Sequence, residues 1–234
     1  MIMMPKFKRF LLVGCKRLVL FLLVSFVASS LFLVIVFRYI PVPVTTFMLY
    51  QHLVDYNNGK KYTPIDFRWV QHDKISKHAF AAAIAAEDQK FYEHMGYDIE
   101  SMLSAVETWL DGGRLRGAST LSQQVAKNLF LLPVRSFLRK GLEVWFTVLI
   151  EVFWDKQRIL DVYLNIAEFG DHLFGVEAAS RRFFGISSRY LSRKQSALLA
   201  ASLPNPRKLN VDKPSSYMRQ RQSWILRQMT NLGY

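Results

Sequence analysis

The sequence predicts a mostly α-helical domain carried behind one N-terminal transmembrane helix. Three observations lead to that prediction. Leu18 to Phe37 is a run of twenty residues without a charge. Alternating apolar–polar strand patterns are nearly absent downstream. Helix-capping residues precede a succession of apolar-periodic stretches. At about 1.5 Å rise per residue the uncharged run spans roughly 30 Å, the thickness of a hydrocarbon core.

Residues 1–17 form a basic tail with Lys6, Lys8, Arg9, Lys16 and Arg17 and no acid. That asymmetry places the N-terminus in the cytoplasm and the rest of the chain on the outer face. Residues 18–37 are the anchor, with Arg38 at its far edge. A cleaved signal peptide is the competing reading, but the small residues Ala28-Ser29-Ser30 lie inside the apolar run, which continues through Leu31 to Phe37. Residues 38–70, with Pro41, Pro43 and Pro64, read as a linker or a stem on the domain edge. The main domain is 71–234. Within it, Ser76 is expected to cap a helix reaching about Tyr92, and Asp98 a second that ends at Gly112-Gly113. Ser119 opens a third. A long apolar-rich helix runs from Ser136 to Trp154, and Asp155 caps the next, to about Glu168. Gly175 to Phe184, Ser192 to Leu203 and Ser215 to Asn231 complete the set. Gly112 to Ala118 is expected to be a mobile loop.

Composition narrows the class. The chain has 234 residues, a formal charge of +13 and one cysteine. The 194 residues past the first 40 suffice for one sizeable domain or two coupled lobes. Setting aside the five charges of the tail leaves +8 on the exported part. Such a surface suits anionic head groups or phosphorylated ligands, and equally plain solubility. Cys15 precedes the anchor, so the exported part has no disulfide framework. The histidines at 52, 72, 78, 94 and 172 show no metal-ligand spacing. There is no dinucleotide fingerprint, phosphate-binding lysine loop or serine-nucleophile motif, and no nucleic-acid partner is expected.

Two glutamates stand out, Glu87 and Glu143. Glu87 ends a small, apolar stretch, AFAAAIAA, which would desolvate its carboxylate, raise its pKa and make it a usable base. As a surface charge it would instead pair with Lys90. The segment GASTLSQQVAKN (Gly117 to Asn128) places Ser119 at a helix start, where free backbone N–H groups attract anions. Gln123 and Gln124 could bond sugar hydroxyls, and Lys127 shares a face with Gln123. By composition alone this is equally an ordinary capped amphipathic helix. Arg135, Arg139 and Lys140 precede Glu143, and on a helix Arg139 and Lys140 share its face. Arginine grips phosphate oxygens bidentately and lysine supplies a point charge. The apolar run after Glu143 favours its partial burial over a solvated ion-pair network. A carboxylate to take a hydroxyl proton and cations to hold a leaving pyrophosphate are the two halves of glycosyl transfer from a lipid diphosphate.

These strings resemble the family 51 glycosyltransferases, the peptidoglycan glycosyltransferases. EDQKFYEHMG (Glu87 to Gly96) is similar to E-D-x-x-F-x-x-H-x-G, and GASTLSQQ to G-x-S-T-x-x-Q-Q. RKGLE (Arg139 to Glu143) matches R-K-x-x-E. KQRILDVYLN (Lys156 to Asn165) resembles K-x-x-I-L-E-x-Y-L-N, with Asp161 where the family has glutamate. RQSWILRQM (Arg221 to Met229) adds a fifth similarity, and the match covers roughly residues 70 to 230. The resemblance implies a lysozyme-like larger lobe and a small membrane-proximal jaw lobe. It implies polymerisation of lipid II into β-1,4 glycan strands on undecaprenyl diphosphate, with inversion at the donor's anomeric carbon. Glu87 and Glu143 would be the catalytic pair. Asp88, Ser119, Gln123, Gln124, Lys127, Arg135, Arg139 and Lys140 would bind substrate. No organic cofactor is implied. A divalent cation, Mg2+ or Mn2+, is an optional one, with Glu143 its candidate ligand. The implied partners are lipid II, the lipid-linked glycan chain, membrane lipids and other cell-wall synthesis or division proteins. The implied location is the bacterial inner membrane, single-pass, with the domain in the periplasm. Because the chain ends at Tyr234, no transpeptidase domain is expected after this one. The rival readings are a membrane-anchored muramidase, which has little use for the cation cluster, and a non-catalytic scaffold, which would not need Glu87.

Overall fold

The computed structural model describes residues 6–113, 119–134 and 136–234. The chain divides into two compact units, Met1–Ile40 and Pro41–Tyr234. The first is helix α1 (Lys6–Tyr39). Within it Gly14–Tyr39 is long and apolar enough to cross a membrane, which contains the predicted anchor.

The second unit is mostly helical, and most of its helices begin where a capping side chain predicts. Ser76, Ser136, Asp155, Ser192 and Ser215 each accept a backbone N–H at the start of α3 (Lys77–Glu87), α6 (Phe137–Phe153), α7 (Lys156–Ile166), α9 (Arg193–Ser202) and α10 (Ser216–Asn231). Asp98 does the same for α4 (Ile99–Leu110), its Oδ1 accepting the Ser101 N–H at 2.9 Å. Helix α8 (Val176–Phe184) runs between Gly175 and a left-handed Gly185.

Three features differ from the sequence reading. The stem contains a helix, α2 (Thr46–Asn57), capped by the Thr45 hydroxyl, and a short strand, β1 (Asp66–Phe67). Helix α3 stops at Glu87 instead of reaching Tyr92, because Asp88 leaves helical geometry (φ −162°, ψ 77°) to direct its carboxylate elsewhere. Helix α5 (Leu121–Phe130) is capped by Thr120, one residue past Ser119, with Thr120 and Gln123 forming a reciprocal capping box. Of the expected mobile loop, residues 114–118 lie outside the described residues.

A small sheet of β1, β2 (Glu168–Gly170) and β3 (Leu173–Phe174) has the order β1-β3-β2. The β1–β3 pair is parallel and the β2–β3 pair antiparallel. Its strands are two or three residues long, too short for an alternating pattern to register.

Helix α9 packs against both α3 and α10. The small residues of the AFAAAIAA stretch explain this. Ala81, Ala82 and Ala85 meet Ala197, Ala200 and Ala201, with Ile225 and Met229 closing the layer. Helix α5 lies between α6 and α7. The C-terminus of α3 and the face of α5 therefore converge.

Gly175 joins β3 to α8 at φ +85°, and a Cβ there would lie 2.5 Å from the carbonyl oxygen of Asn165. That oxygen belongs to the backbone of a buried helix and cannot retreat. Gly175→Ala is expected to lower stability by about 2 kcal/mol or more. For a domain of this size that is a Tm loss of roughly 5 °C or more in circular dichroism melts. An unchanged Tm would contradict this account of the turn.

Candidate active site

Glu87 is the last residue of α3. The alanine run that lets α3 sink against α9 also carries this carboxylate into the protein, leaving its side chain 15% exposed. Its partners come from distant elements. The Gln124 amide on α5 donates to Oε2 at 3.1 Å, and Arg221 on α10 reaches Oε1 at 3.3 Å. Burial pushes the Glu87 carboxyl above the ordinary glutamate range. Gln124, Arg221 and the charge of Lys127 pull partly back. Lys90 does not compete for it, because its ammonium pairs with Glu100. On α7 the Tyr163 hydroxyl lies 3.5 Å from the Gln124 Oε1. Burial, reinforced by Glu87 and Asp88, holds that phenol far above its usual range, so it stays protonated.

Asp88 turns away from Glu87 and into the protein. Its Oδ2 accepts the Leu121 N–H at 2.9 Å and its Oδ1 lies 2.9 Å from His94 Nε2. With its side chain 2% exposed, Asp88 acts on the start of α5. Gln123 is likewise spent on the Thr120 capping box and is buried. Gln124, one residue further round α5, faces Glu87.

Glu143 on α6 is buried at 3% exposure despite its charge. Arg139 donates to Oε2 at 2.7 Å, and Lys140 pairs with Oε1. Lys127 lies between the two glutamates electrostatically. Burial lowers its pKa, Glu143 and Glu87 raise it, and Arg139 and Lys140 lower it. Among the described residues no carboxylate comes within ion-pair distance of Lys127, so its ammonium is available to a ligand. Arg135 lies outside the described residues.

A cleft of about 460 Å³ opens at Glu87, lined also by Lys90, Ser101, Ser119 and Thr120. Ser119 sits on its wall. A second cleft of about 400 Å³, beside the β2–β3 hairpin and Arg207, contains none of these groups. The structure thus brings together Glu87, Gln124 and Lys127, with Arg139, Lys140 and Glu143 linked to them through the field on Lys127. Asp88 borders the same cleft but turns its carboxylate to His94 and the Leu121 N–H, and Gln123 is buried. Arg221 and Tyr163 are additions the sequence reading did not place in the site. Arg221 opens the fifth similar string, but its contact spans 134 positions and no local spacing points to it.

A family model described as Transglycosylase matches residues 57–230. The biosynthetic peptidoglycan transglycosylase of Pseudomonas fluorescens (strain Pf0-1) is 51% identical over 213 residues, 90% of this chain and 88% of the relative. That of Chromohalobacter salexigens is 48% identical over 217 residues, 93% of this chain and 92% of the relative.

The raised pKa of Glu87 has a consequence for stability. Below the ordinary glutamate pKa the carboxyl is neutral in both folded and unfolded chains. As pH rises past that value the unfolded chain ionises first, so folding loses stability until the folded carboxyl ionises too. Glu87→Gln removes that loss. The variant is expected to be more stable than the parent near neutral pH, with the difference vanishing only below the ordinary glutamate pKa, in denaturant titrations of the full chain in detergent. A parent that is more stable at neutral pH would contradict the burial account.

Proposed function

The chain belongs to the transglycosylase family, and on that premise we propose how its carboxylates and cations divide the work. It is a peptidoglycan glycosyltransferase that polymerises glycan strands, with lipid II as substrate. Glu87 is the base. Its carboxylate takes the proton of the acceptor's 4-hydroxyl on N-acetylglucosamine. The freed oxygen attacks C1 of the donor's N-acetylmuramic acid from the face opposite the diphosphate. The new C–O bond forms as the bond from C1 to the phosphate oxygen breaks. The electron pair leaves on the diphosphate, and inversion gives a β-1,4 link. A pyrophosphate leaving group needs charge neutralisation more than a strong acid. Lys127 takes that role, supported by the lack of any carboxylate at ion-pair distance among the described residues, with Arg139 and Lys140 coupled to it and Arg135 assigned to the same role from the motif. Glu143 holds Arg139 and Lys140. Gln124 orients Glu87, and Ser119 meets the donor sugar. The observation carrying this reading is Glu87 at a cleft, desolvated yet met by Gln124 and Arg221 and felt by the charge of Lys127.

A divalent ion finds no preformed cage in the described residues. Both Glu143 oxygens are engaged by Arg139 and Lys140, and no three metal-ligating side chains gather. No step is therefore assigned to Mg2+ or Mn2+. Supported by the α3–α9–α10 packing, we place those helices in a lysozyme-like larger lobe. Helix α4 and the segment NLFLLPVRSFL (Asn128 to Leu138) go to a membrane-proximal jaw. Ile99, Leu103, Leu132, Val134, Phe137 and Leu138 are exposed there, and an apolar surface of that kind suits the head-group region, so that substrate tails need not leave the bilayer. The basic tail and apolar α1 support a single-pass topology with the domain periplasmic. Other wall-synthesis or division proteins are further proposed partners.

Purified full chain given lipid II is expected to make polymer, and Glu87→Gln to lose about 10²–10⁴-fold in turnover while still binding lipid II. Near-parental turnover by that variant would move the base elsewhere. Arg221→Gln removes a cation that holds the Glu87 carboxyl down. It should therefore shift the acid limb of the kcat/KM profile to higher pH, and an unshifted limb would show that Arg221 does not act on the base.

A further inference from the structure

Helix α2 carries large apolar residues on its outward face as well as its inward one. In a domain surrounded by water, a surface helix turns apolar residues inward and polar ones outward. Here the inward positions hold Met48 together with the polar Gln51 and Asp55, all buried, while Leu49, Leu53 and Tyr56 stand 56%, 53% and 81% exposed. Leu49, Leu53 and Tyr56 follow i, i+4, i+7 spacing and form one stripe. The inner face is firmly held. Gln51 Nε2 donates to Asp171 Oδ1 at 2.9 Å, and His172 Nε2 lies 2.8 Å from Asp55 Oδ2. Phe47 meets the edge of Phe174 at 6.0 Å. The outward stripe is therefore fixed in place, and its exposure is not the accident of a loose helix.

We infer that the Leu49–Leu53–Tyr56 face of α2 lies in the interface of an anionic bilayer, as a second membrane contact beside the jaw segment. Three observations select lipid as the occupant. Only residues 40–45 separate α1 from α2, and six residues reach at most about 20 Å, so chain length keeps the start of α2 within that reach of the end of an anchor. The Thr46 hydroxyl donates to the Leu131 carbonyl at 2.9 Å. That bond seats the start of α2 beside Leu132, where the exposed apolar jaw segment begins. Lys60, Lys61 and Tyr62 follow α2 and are exposed; cations and a tyrosine at the rim of an apolar stripe match a negatively charged head-group layer. The same Thr46 bond ties the lipid-facing helix to the C-terminal turn of α5, the helix that carries Gln124 and Lys127.

This inference rests on α1 being a membrane anchor, and the test separates the two. Full-length chain with Cys15→Ser is given one cysteine, at Leu53, Leu49 or the exposed Ser223, labelled with an environment-sensitive fluorophore. It is then reconstituted into vesicles of zwitterionic and anionic phospholipid. Flotation with the vesicles reads the anchor. Nitroxide placed shallowly on lipid chains, and iodide in the water, read the label. Labels at Leu53 and Leu49 are expected to be quenched by the lipid nitroxide and roughly threefold less by iodide than the label at Ser223, as for an apolar face seated at the head-group boundary. Iodide quenching equal to that at Ser223, in protein that floats, overturns the inference and leaves the anchor standing. Shielding from both quenchers also overturns it, because protein then covers the stripe. Failure to float overturns the anchor reading and this one with it.

Discussion

Asp88 stops one helix and starts another. Its carboxylate is taken into the protein, where burial pushes its pKa up while His94 and the Leu121 N–H pull it back. An anion at the first free N–H groups of a helix is favourable, typically by 0.3–1 kcal/mol at a surface and more where water is excluded. Because Asp88 directly follows Glu87, the bond that begins α5 also fixes the end of α3. One side chain thereby sets the register between the proposed base and the residues opposite it, Gln124 and Lys127. The Gln124 amide, 3.1 Å from the Glu87 carboxylate, ties the same two ends a second time.

A further layer holds Asp88 in turn. The Gly96 N–H donates to His94 Nδ1 at 3.1 Å, so the ring proton sits on Nε2, facing Asp88. The His94 carbonyl accepts from Lys156 at 2.6 Å. Lys156 also pairs with Glu151 at 2.9 Å, and Glu151 accepts the Ser122 hydroxyl. A Cβ at Gly96 would meet Thr147 and Glu151 side chains at 2.8 and 2.9 Å. Phe91 is fully buried beneath the Lys156 ammonium, 4.5 Å from its ring centre. In the stretch EDQKFYEHMG, then, Asp88, Phe91, His94 and Gly96 build a support, and Glu87 is what it presents.

The electrostatics of the site follow from which charges are paired inside the protein. Glu143 is saturated by Arg139 and Lys140 and contributes little free negative charge. Glu87 is shared between Gln124 and Arg221. Among the described residues Lys127 has no carboxylate at ion-pair distance, and its neighbouring cations favour the arrival of an anion. In the proposed reaction, a site preorganised this way would meet a polyanionic leaving group without rearranging its own charges.

Much of this was legible in the chain. A helix cap is a contact over three residues, so Ser76, Asp98, Ser136, Asp155, Ser192 and Ser215 marked their helix starts. A transmembrane run is a matter of length and polarity alone. Glu143 with Arg139 and Lys140 could be read because one helical turn brings them together. What the sequence did not show were pairings across long separations: Leu121 to Asp88 over 33 positions, Gln124 to Glu87 over 37, Arg221 to Glu87 over 134. Those depend on how α3, α5 and α10 pack, which no spacing encodes. The end of α3 was misread for the same reason, since a helix former at Glu87 is overruled by a tertiary bond from Asp88. Whether Gln123 or Gln124 reaches Glu87 was decided by the capping box that consumes the first. Helix α2 went unread because apolar Met48 faces inward while Leu49, Leu53 and Tyr56 face outward: sequence periodicity reports where apolar residues recur, and only the tertiary structure says which of them are buried.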